Sequence, residues 1–170
     1  LYYSETAKVR SYVEKYCIGI GLDLGCGIDK IVPTAIGVDF PKQYQIDDHP
    51  ETEADFKQSW EQFFAEHLDD LYDYIYSSHL LEDYKDPWGV LDIWLRFVKQ
   101  GGFLILALPI EELYQKLGVN INARHTNNWK SAQDFCNQMP IDLRMQVELL
   151  EFSMEPVVDY NFYIVFRKIR

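Results

Sequence analysis

Residues 21–40 read GLDLGCGIDKIVPTAIGVDF, and this stretch decides the fold. The run IGIGLDL (18–24) is short, apolar and bounded by glycine, which is the pattern of a buried strand. AIGVDF (35–40) is a second such run, ending on Asp39. Few residues separate the two, and Pro33 sits among them, so a three-turn helix does not fit. The crossover is therefore a stub or a plain loop. Gly25 and Gly27 flank Cys26 where the first strand gives way to that loop.

Outward from this pair, strands and helices alternate. SETAKVRSYVEKY places Val9, Tyr12, Val13 and Tyr16 at helical spacing before the first strand. The polar QIDDHPETEAD (45–55) allows only an edge strand near Glu53. SWEQFFAEHLDDL (59–71) has a helical stripe of Trp60, Phe63, Phe64, His67, Leu68 and Leu71. YDYIYSSHLL (72–81) reads as a strand running into a loop. DPWGVLDIWLRFVKQGG (86–102) predicts a helix opened by Asp86-Pro87 and stopped by Gly101-Gly102. FLILALP (103–109) is apolar throughout, as in a strand covered on both faces. Residues 129–138 predict another helix, and LRMQVELLEFSM and NFYIVFRKI a closing pair of strands. The pattern is α/β with a mainly parallel sheet and an antiparallel pair at one edge.

Composition narrows the function classes. The 170 residues favour one domain, and 48% hydrophobic with 25% charged residues is a globular balance. A net charge of −11 argues against a general nucleic-acid binder, which needs clustered Lys and Arg. No apolar run approaches membrane-spanning length. Cys17, Cys26 and Cys136 form no CxxC pair, which points to free thiols in a reducing, cytoplasmic setting. No cysteine/histidine cluster has metal-ligand spacing.

In parallel sheets ligands bind at the carboxyl ends of the strands, and Asp23/Gly25, Asp39, Asp55, His79 and Pro109 all fall at or just past predicted ends. A dinucleotide needs G-x-G-x-x-G with an acid about 20 residues on. Here the third glycine is absent and Asp39 lies only 14 positions past Gly25 (39 − 25). Asp29 would also set negative charge beside a pyrophosphate. S-adenosylmethionine (SAM) carries no phosphate; its ribose wants a carboxylate and its amino-acid tail a glycine loop that allows close backbone approach. Asp39 and residues 25–27 meet those needs.

LDLGCG, with Asp23 at its acidic position, resembles the first motif of class I SAM-dependent methyltransferases. AIGVDF is similar to that family's second strand, ending in the ribose-binding acid, here Asp39, and EADF resembles its third-strand acid, here Asp55. DLYDYIYSSHLLEDYKDPW resembles the fourth strand and following loop of the small methyltransferase type 11 branch, and VKQGGFLILALP its Gly-Gly-strand-Pro segment. The resemblance runs from about residue 18 to 138. It implies a Rossmann-like, doubly wound, seven-stranded sheet over residues 1–170. As SAM-contacting residues it implies Asp23, Gly25, Cys26, Gly27, Asp39, Phe40, Asp55, Phe56, Ser77 and Ser78. Two positions depart from the family pattern: its usual glycine is Asp29, and the second His of its "LEH" is Asp83.

The same resemblance sets His79 beside the methyl group, as base, acceptor contact or SAM contact; the plain alternative is a polar loop residue. Glu82 orients that loop or faces solvent. His125 and Trp129 reach substrate, or else Asn127 or Asn128 caps the next helix while Trp129 packs as a staple. Cys26 is a small filler between the glycines, and Tyr2 and Tyr3 form a lid or hang free. The expected activity is methyl transfer to oxygen, nitrogen or carbon of a small-molecule or sugar acceptor, with no membrane and no nucleic-acid partner. A second copy of the chain is an expected partner. The alternatives are a non-catalytic binding module and, less favoured, a small NAD-dependent dehydrogenase.

Overall fold

The computed structural model describes residues 4–41, 51–116 and 124–170. Seven strands form one sheet: β1 (Gly21–Leu24), β2 (Ile36–Asp39), β3 (Phe56–Lys57), β4 (Tyr72–Ser78), β5 (Val98–Pro109), β6 (Val147–Phe152) and β7 (Asn161–Lys168). Their order is β3-β2-β1-β4-β5-β7-β6. The first five are parallel, and β7 runs antiparallel between β5 and β6. The order reverses between β1 and β4, which opens a crevice at the carboxyl ends there.

The helices follow from apolar spacing and capping. They are α1 (Glu5–Val13), α2 (Trp60–Glu66), α3 (Pro87–Phe97), α4 (Glu111–Lys116), α5 (Ala132–Gln138) and α6 (Ile141–Arg144). Ser4, Ser59, Asp86 and Ser131 each accept a backbone N–H in the first turn of α1, α2, α3 and α5. Two cores form on opposite faces of the sheet. One gathers Trp60, Phe63, Leu91, Trp94 and Phe135 under α2, α3 and α5. The other gathers Val9, Val13, Ile31, Tyr76 and Val165 under α1. Full burial of one such aliphatic or aromatic side chain contributes about 1.5–3 kcal/mol.

Most elements match the sequence reading in kind, but α4 and α6 are additions to it, and α6 takes Leu143 and Arg144 from the expected closing strand, which begins only at Val147. Other ends differ for identifiable reasons. Ile18 and Ile20 are exposed, so β1 begins only at Gly21. α2 stops at Glu66, leaving Leu68 and Leu71 in solvent. Gly101-Gly102 does not stop α3. That helix ends at Phe97, and both glycines lie inside β5, which already pairs with β4 at Val98. The third strand is an edge strand but starts after Asp55. Residues 25–35 hold turns and no helix, as Pro33 and the short spacing predict. Among the described residues no helix is long and apolar enough to cross a membrane.

Candidate functional site

After Leu24 the chain turns through Gly25 (φ 73°) and Gly27 (φ 56°), left-handed conformations that glycine takes without penalty. The Gly25 N–H donates to the Val38 carbonyl at 2.8 Å, which ties the loop to β2. A Cβ on Gly27 would meet nothing within 4 Å, so its α-carbon faces open space. The Gly27 N–H donates to Asp39 Oδ2 at 2.8 Å, and the Phe40 N–H to Oδ1 at 2.7 Å. The acid and the glycine turn are thus one unit. Burial raises the Asp39 carboxyl above its ordinary value, against the pull of those two N–H groups.

Beneath the loop, Asp23 is fully buried and accepts the Ile31 N–H on Oδ2 at 2.6 Å, while Oδ1 has no partner. Burial pushes its carboxyl up to about 8. Asp23 shapes the loop from below and does not itself line the cleft. Cys26 is buried and its thiol is pushed up, first by burial and then by Asp23, as befits a small inert filler.

The cleft over this loop holds about 250 Å³, with Gly25–Ile28 and Asp39 on one side, Ser78 and His79 on another, and Ser4–Thr6 above. Helix α1 is fastened on two flanks. Ser4 donates to Asp29, and Arg10 pairs with the same carboxylate while also donating to the carbonyls of Lys30 and Ile31. On the other flank Glu5 accepts from Tyr160 Oη (2.5 Å), Asn161 Nδ2 (3.2 Å) and Lys8 (3.1 Å). Burial opposes ionisation of Glu5, but His79, Tyr160 and Lys8 outweigh it and hold the carboxyl below its usual value. Asp29 therefore serves as a tether for α1. Ser4 caps α1 and also bonds Asp29, so Ser4→Ala should lower stability by about 1 kcal/mol in denaturant melts.

His79 directly follows β4 with φ 51°, and its N–H donates to the Ala107 carbonyl at 3.0 Å. Its Nε2 lies 2.5 Å from Asn161 Oδ1 and 3.6 Å from Glu5, and its Nδ1 lies 3.6 Å from Glu82 Oε1. Glu82 does not face solvent. It is fully buried, with no hydrogen-bond partner on either carboxyl oxygen. Its backbone carbonyl accepts from the N–H groups of Thr126 and Asn127, and Asn127 Nδ2 also bonds the Tyr84 carbonyl at 2.6 Å. Asn127 thus clamps two loops together, while Ser131 caps α5 and Trp129 is buried against Phe135. His125 bridges Glu111 (Nδ1, 2.7 Å) and Glu82 (Nε2, 3.6 Å).

Of the residues singled out from sequence, Gly25, Cys26, Gly27, Asp39, Ser78 and His79 come together on the cleft. Ser77 supports it from below by donating to the Leu24 carbonyl at 3.0 Å. Phe40 is exposed just beyond Asp39. Asp55 and Phe56 are placed differently from the expectation. Asp55 sits level with Gly37, two residues short of the carboxyl edge, and spends its carboxylate on the Gly37 N–H (2.8 Å) and Lys30 (2.9 Å). The Phe56 ring packs against Phe63 and His67. At the level of Asp39, β3 carries Lys57. Tyr2 and Tyr3 lie outside the described residues.

Sequence reasoning missed Glu5, Tyr160 and Asn161, which reach the site from opposite ends of the chain and leave no local signal. Burial of Glu82 left no local signal either, since the one-turn segment Leu81–Asp83 begins two residues past His79, which itself stands at φ 51°. Among the described residues no group of three or more His, Cys, Asp or Glu is arranged to hold a metal ion.

No protein-family model matches the sequence, and no curated protein sequence does. Solved structures do match. The N-methyltransferase NodS from Bradyrhizobium japonicum WM9 aligns over 98% of this chain and 94% of its own, at 14% identity and a TM-score of 0.59. The plantazolicin methyltransferase BpumL, solved with S-adenosylhomocysteine (SAH) and a desmethylPZN analog, aligns over 98% and 82%, at 13% identity and a TM-score of 0.63. The mitomycin 7-O-methyltransferase MmcR aligns over 96% and 53%, at 13% identity and 0.59. The chain has the class I SAM-dependent methyltransferase fold.

Proposed function

We propose that this protein binds SAM in the cleft above the glycine turn and transfers its methyl group to a small-molecule acceptor. The observation that carries the reading is the pairing of Asp39 with the Gly27 N–H beside open space. That unit offers a carboxylate for two ribose hydroxyls and bare backbone for an amino-acid tail. The absence of a helix in residues 25–35 counts against a pyrophosphate ligand, which draws on a helix N-terminus. Structural neighbours of this fold bind SAH, which supports the same ligand class here.

SAM supplies an electrophilic methyl on a sulfonium, so the protein's own work is to align the acceptor and exclude water. Ser4–Thr6 close the cleft from above and Ser78 and His79 wall it, leaving an acceptor to be addressed through oxygen, nitrogen or carbon. His79 serves here as a contact, since both ring nitrogens already face oxygens of the protein. Asp39, Phe40 and Gly25–Gly27 hold the nucleoside and tail, with Asp23 and Ser77 supporting the loop.

Calorimetry with SAM, SAH and, as control, NAD tests this. Micromolar binding of the first two and none of NAD is expected. Gly27→Asn should weaken SAM at least tenfold while leaving the melting temperature nearly unchanged, because asparagine tolerates positive φ but its side chain fills the open space. A folded wild type that binds neither SAM nor SAH sinks the proposal.

A further inference from the structure

The buried carboxyl of Glu82 has no use in the scheme above, yet an unpartnered acid at zero exposure calls for an explanation. It sits in a chain of side chains from three strand ends. Glu111 on α4 bonds His125 Nδ1, His125 Nε2 faces Glu82, Glu82 faces His79 Nδ1, and His79 Nε2 meets Asn161 on β7. The orientation at the far end is fixed. Asn161 Nδ2 donates to Glu5 (3.2 Å) and to the Val158 carbonyl (3.3 Å), which leaves Oδ1 for the imidazole. His79 therefore carries its proton on Nε2, and Nδ1 is the nitrogen in need of a donor.

We propose that Glu82 is a positioning residue: its carboxyl O–H lies against His79 Nδ1 as the donor to that nitrogen, while Asn161 keeps the proton on Nε2, so that the imidazole is a fixed wall of the cleft. Its meaning for catalysis rests on the methyl-transfer reading; its meaning for His79 does not. At 3.6 Å the two groups stand just outside hydrogen-bond range, neither oxygen of Glu82 has a hydrogen-bond partner among the described residues, and His125 Nε2 faces the same oxygen at the same distance. Burial favours the proton, raising Glu82 well above its ordinary value against the pull of its own backbone N–H, with Asp83, Glu111 and Glu5 adding to the effect. Burial also lowers His79, with Glu5 and the Asn161 hydrogen bond opposing and His125 and Lys8 assisting. Asp83 and Arg124 on the loops, and the Tyr114 and Tyr160 rings, complete the surroundings.

Long-range proton–nitrogen spectra of ¹⁵N-histidine-labelled protein, recorded from pH 5.5 to 8 and assigned with His79→Gln, test the proposal. Wild-type His79 should show the neutral Nε2–H pattern throughout, in the window where an ordinary imidazole titrates near about 6.5. Glu82→Gln should preserve that pattern, because its amide N–H can face Nδ1. Glu82→Leu should keep the Nε2–H tautomer that Asn161 fixes but move the Nδ1 resonance downfield, because that nitrogen loses the donor facing it. An imidazolium at pH 7, an Nδ1–H form in wild type, or an unchanged His79 signal in folded Glu82→Leu overturns the proposal. Should Glu82→Leu fail to fold, the wild-type Nδ1 resonance still decides, since the position of an imidazole nitrogen with no donor overturns the proposal. Calorimetry on the same wild-type sample separates the two readings, since failure to bind SAM removes the methyltransferase function and leaves the histidine result standing.

Discussion

Asp39→Ala should weaken SAM binding by about 100-fold, the loss expected when a carboxylate accepting two ligand hydroxyls is removed at about 1.5–3 kcal/mol per charged hydrogen bond, without full additivity. Part of the loss is indirect. Asp39 also accepts the Gly27 and Phe40 N–H groups, so its removal loosens the turn that receives the amino-acid tail. Asp39→Asn is no mild control. Both carboxylate oxygens face N–H donors, and an amide would set its own N–H₂ against one of them. The asparagine variant should therefore bind nearly as weakly as the alanine variant. Stability should fall by only about 1–2 kcal/mol in either, because the residue sits at the half-buried rim and outside both apolar cores. Calorimetric titration beside a denaturant melt separates the two effects. Unchanged SAM affinity in Asp39→Ala would place the ribose elsewhere.

The part of this site that was legible in the sequence is the part built from neighbours in the chain. A glycine-bounded apolar strand, a turn needing positive φ and an acid at the end of the next strand all lie within residues 21–40. Legibility fails where position depends on a partner strand. Asp55 looks like a strand-end acid, but the parallel register of β3 on β2 sets it level with Gly37 and gives the edge to Lys57. Gly101-Gly102 has the look of a helix stop, yet Val98 already pairs with Tyr72, and that long-range pairing outweighs a local breaker. The polar clamp on His79 was invisible for the same reason. Glu5 and Asn161 are 156 positions apart and meet only because α1 lies over the end of β7.

The pH dependence of stability should carry the mark of Asp23. Its carboxyl titrates near 3.8 in an ordinary setting and is pushed up to about 8 in the fold, first by burial and then, against the Ile31 N–H, by Asp39 and Asp29, with Lys30 opposing them. Between those values the folded chain holds a proton that the unfolded chain has released. Stability linked to this group is thus fully present below about 3.8 and declines as pH rises through about 8, by up to about 1.4 kcal/mol per pH unit. Other carboxyls pull both ways, since Asp39, Glu82 and Asp83 are raised while Glu5, Asp73 and Asp92 are lowered. The informative quantity is therefore a difference. Asp23→Asn keeps an oxygen for the Ile31 N–H and puts an amide where Oδ1 already lacks a partner, so it mimics the protonated acid. Relative to wild type it should gain stability steadily from pH 5 to 8, reaching several kcal/mol at the alkaline end. Urea melts of both proteins at matched pH measure this, and parallel curves across that range would mean that Asp23 is ionised in the fold. The same acid underlies the glycine turn, so a protein that tolerates a buried, neutral Asp23 holds its cleft floor most firmly in mild acid. SAM affinity should then weaken toward alkaline pH in wild type and stay level in Asp23→Asn.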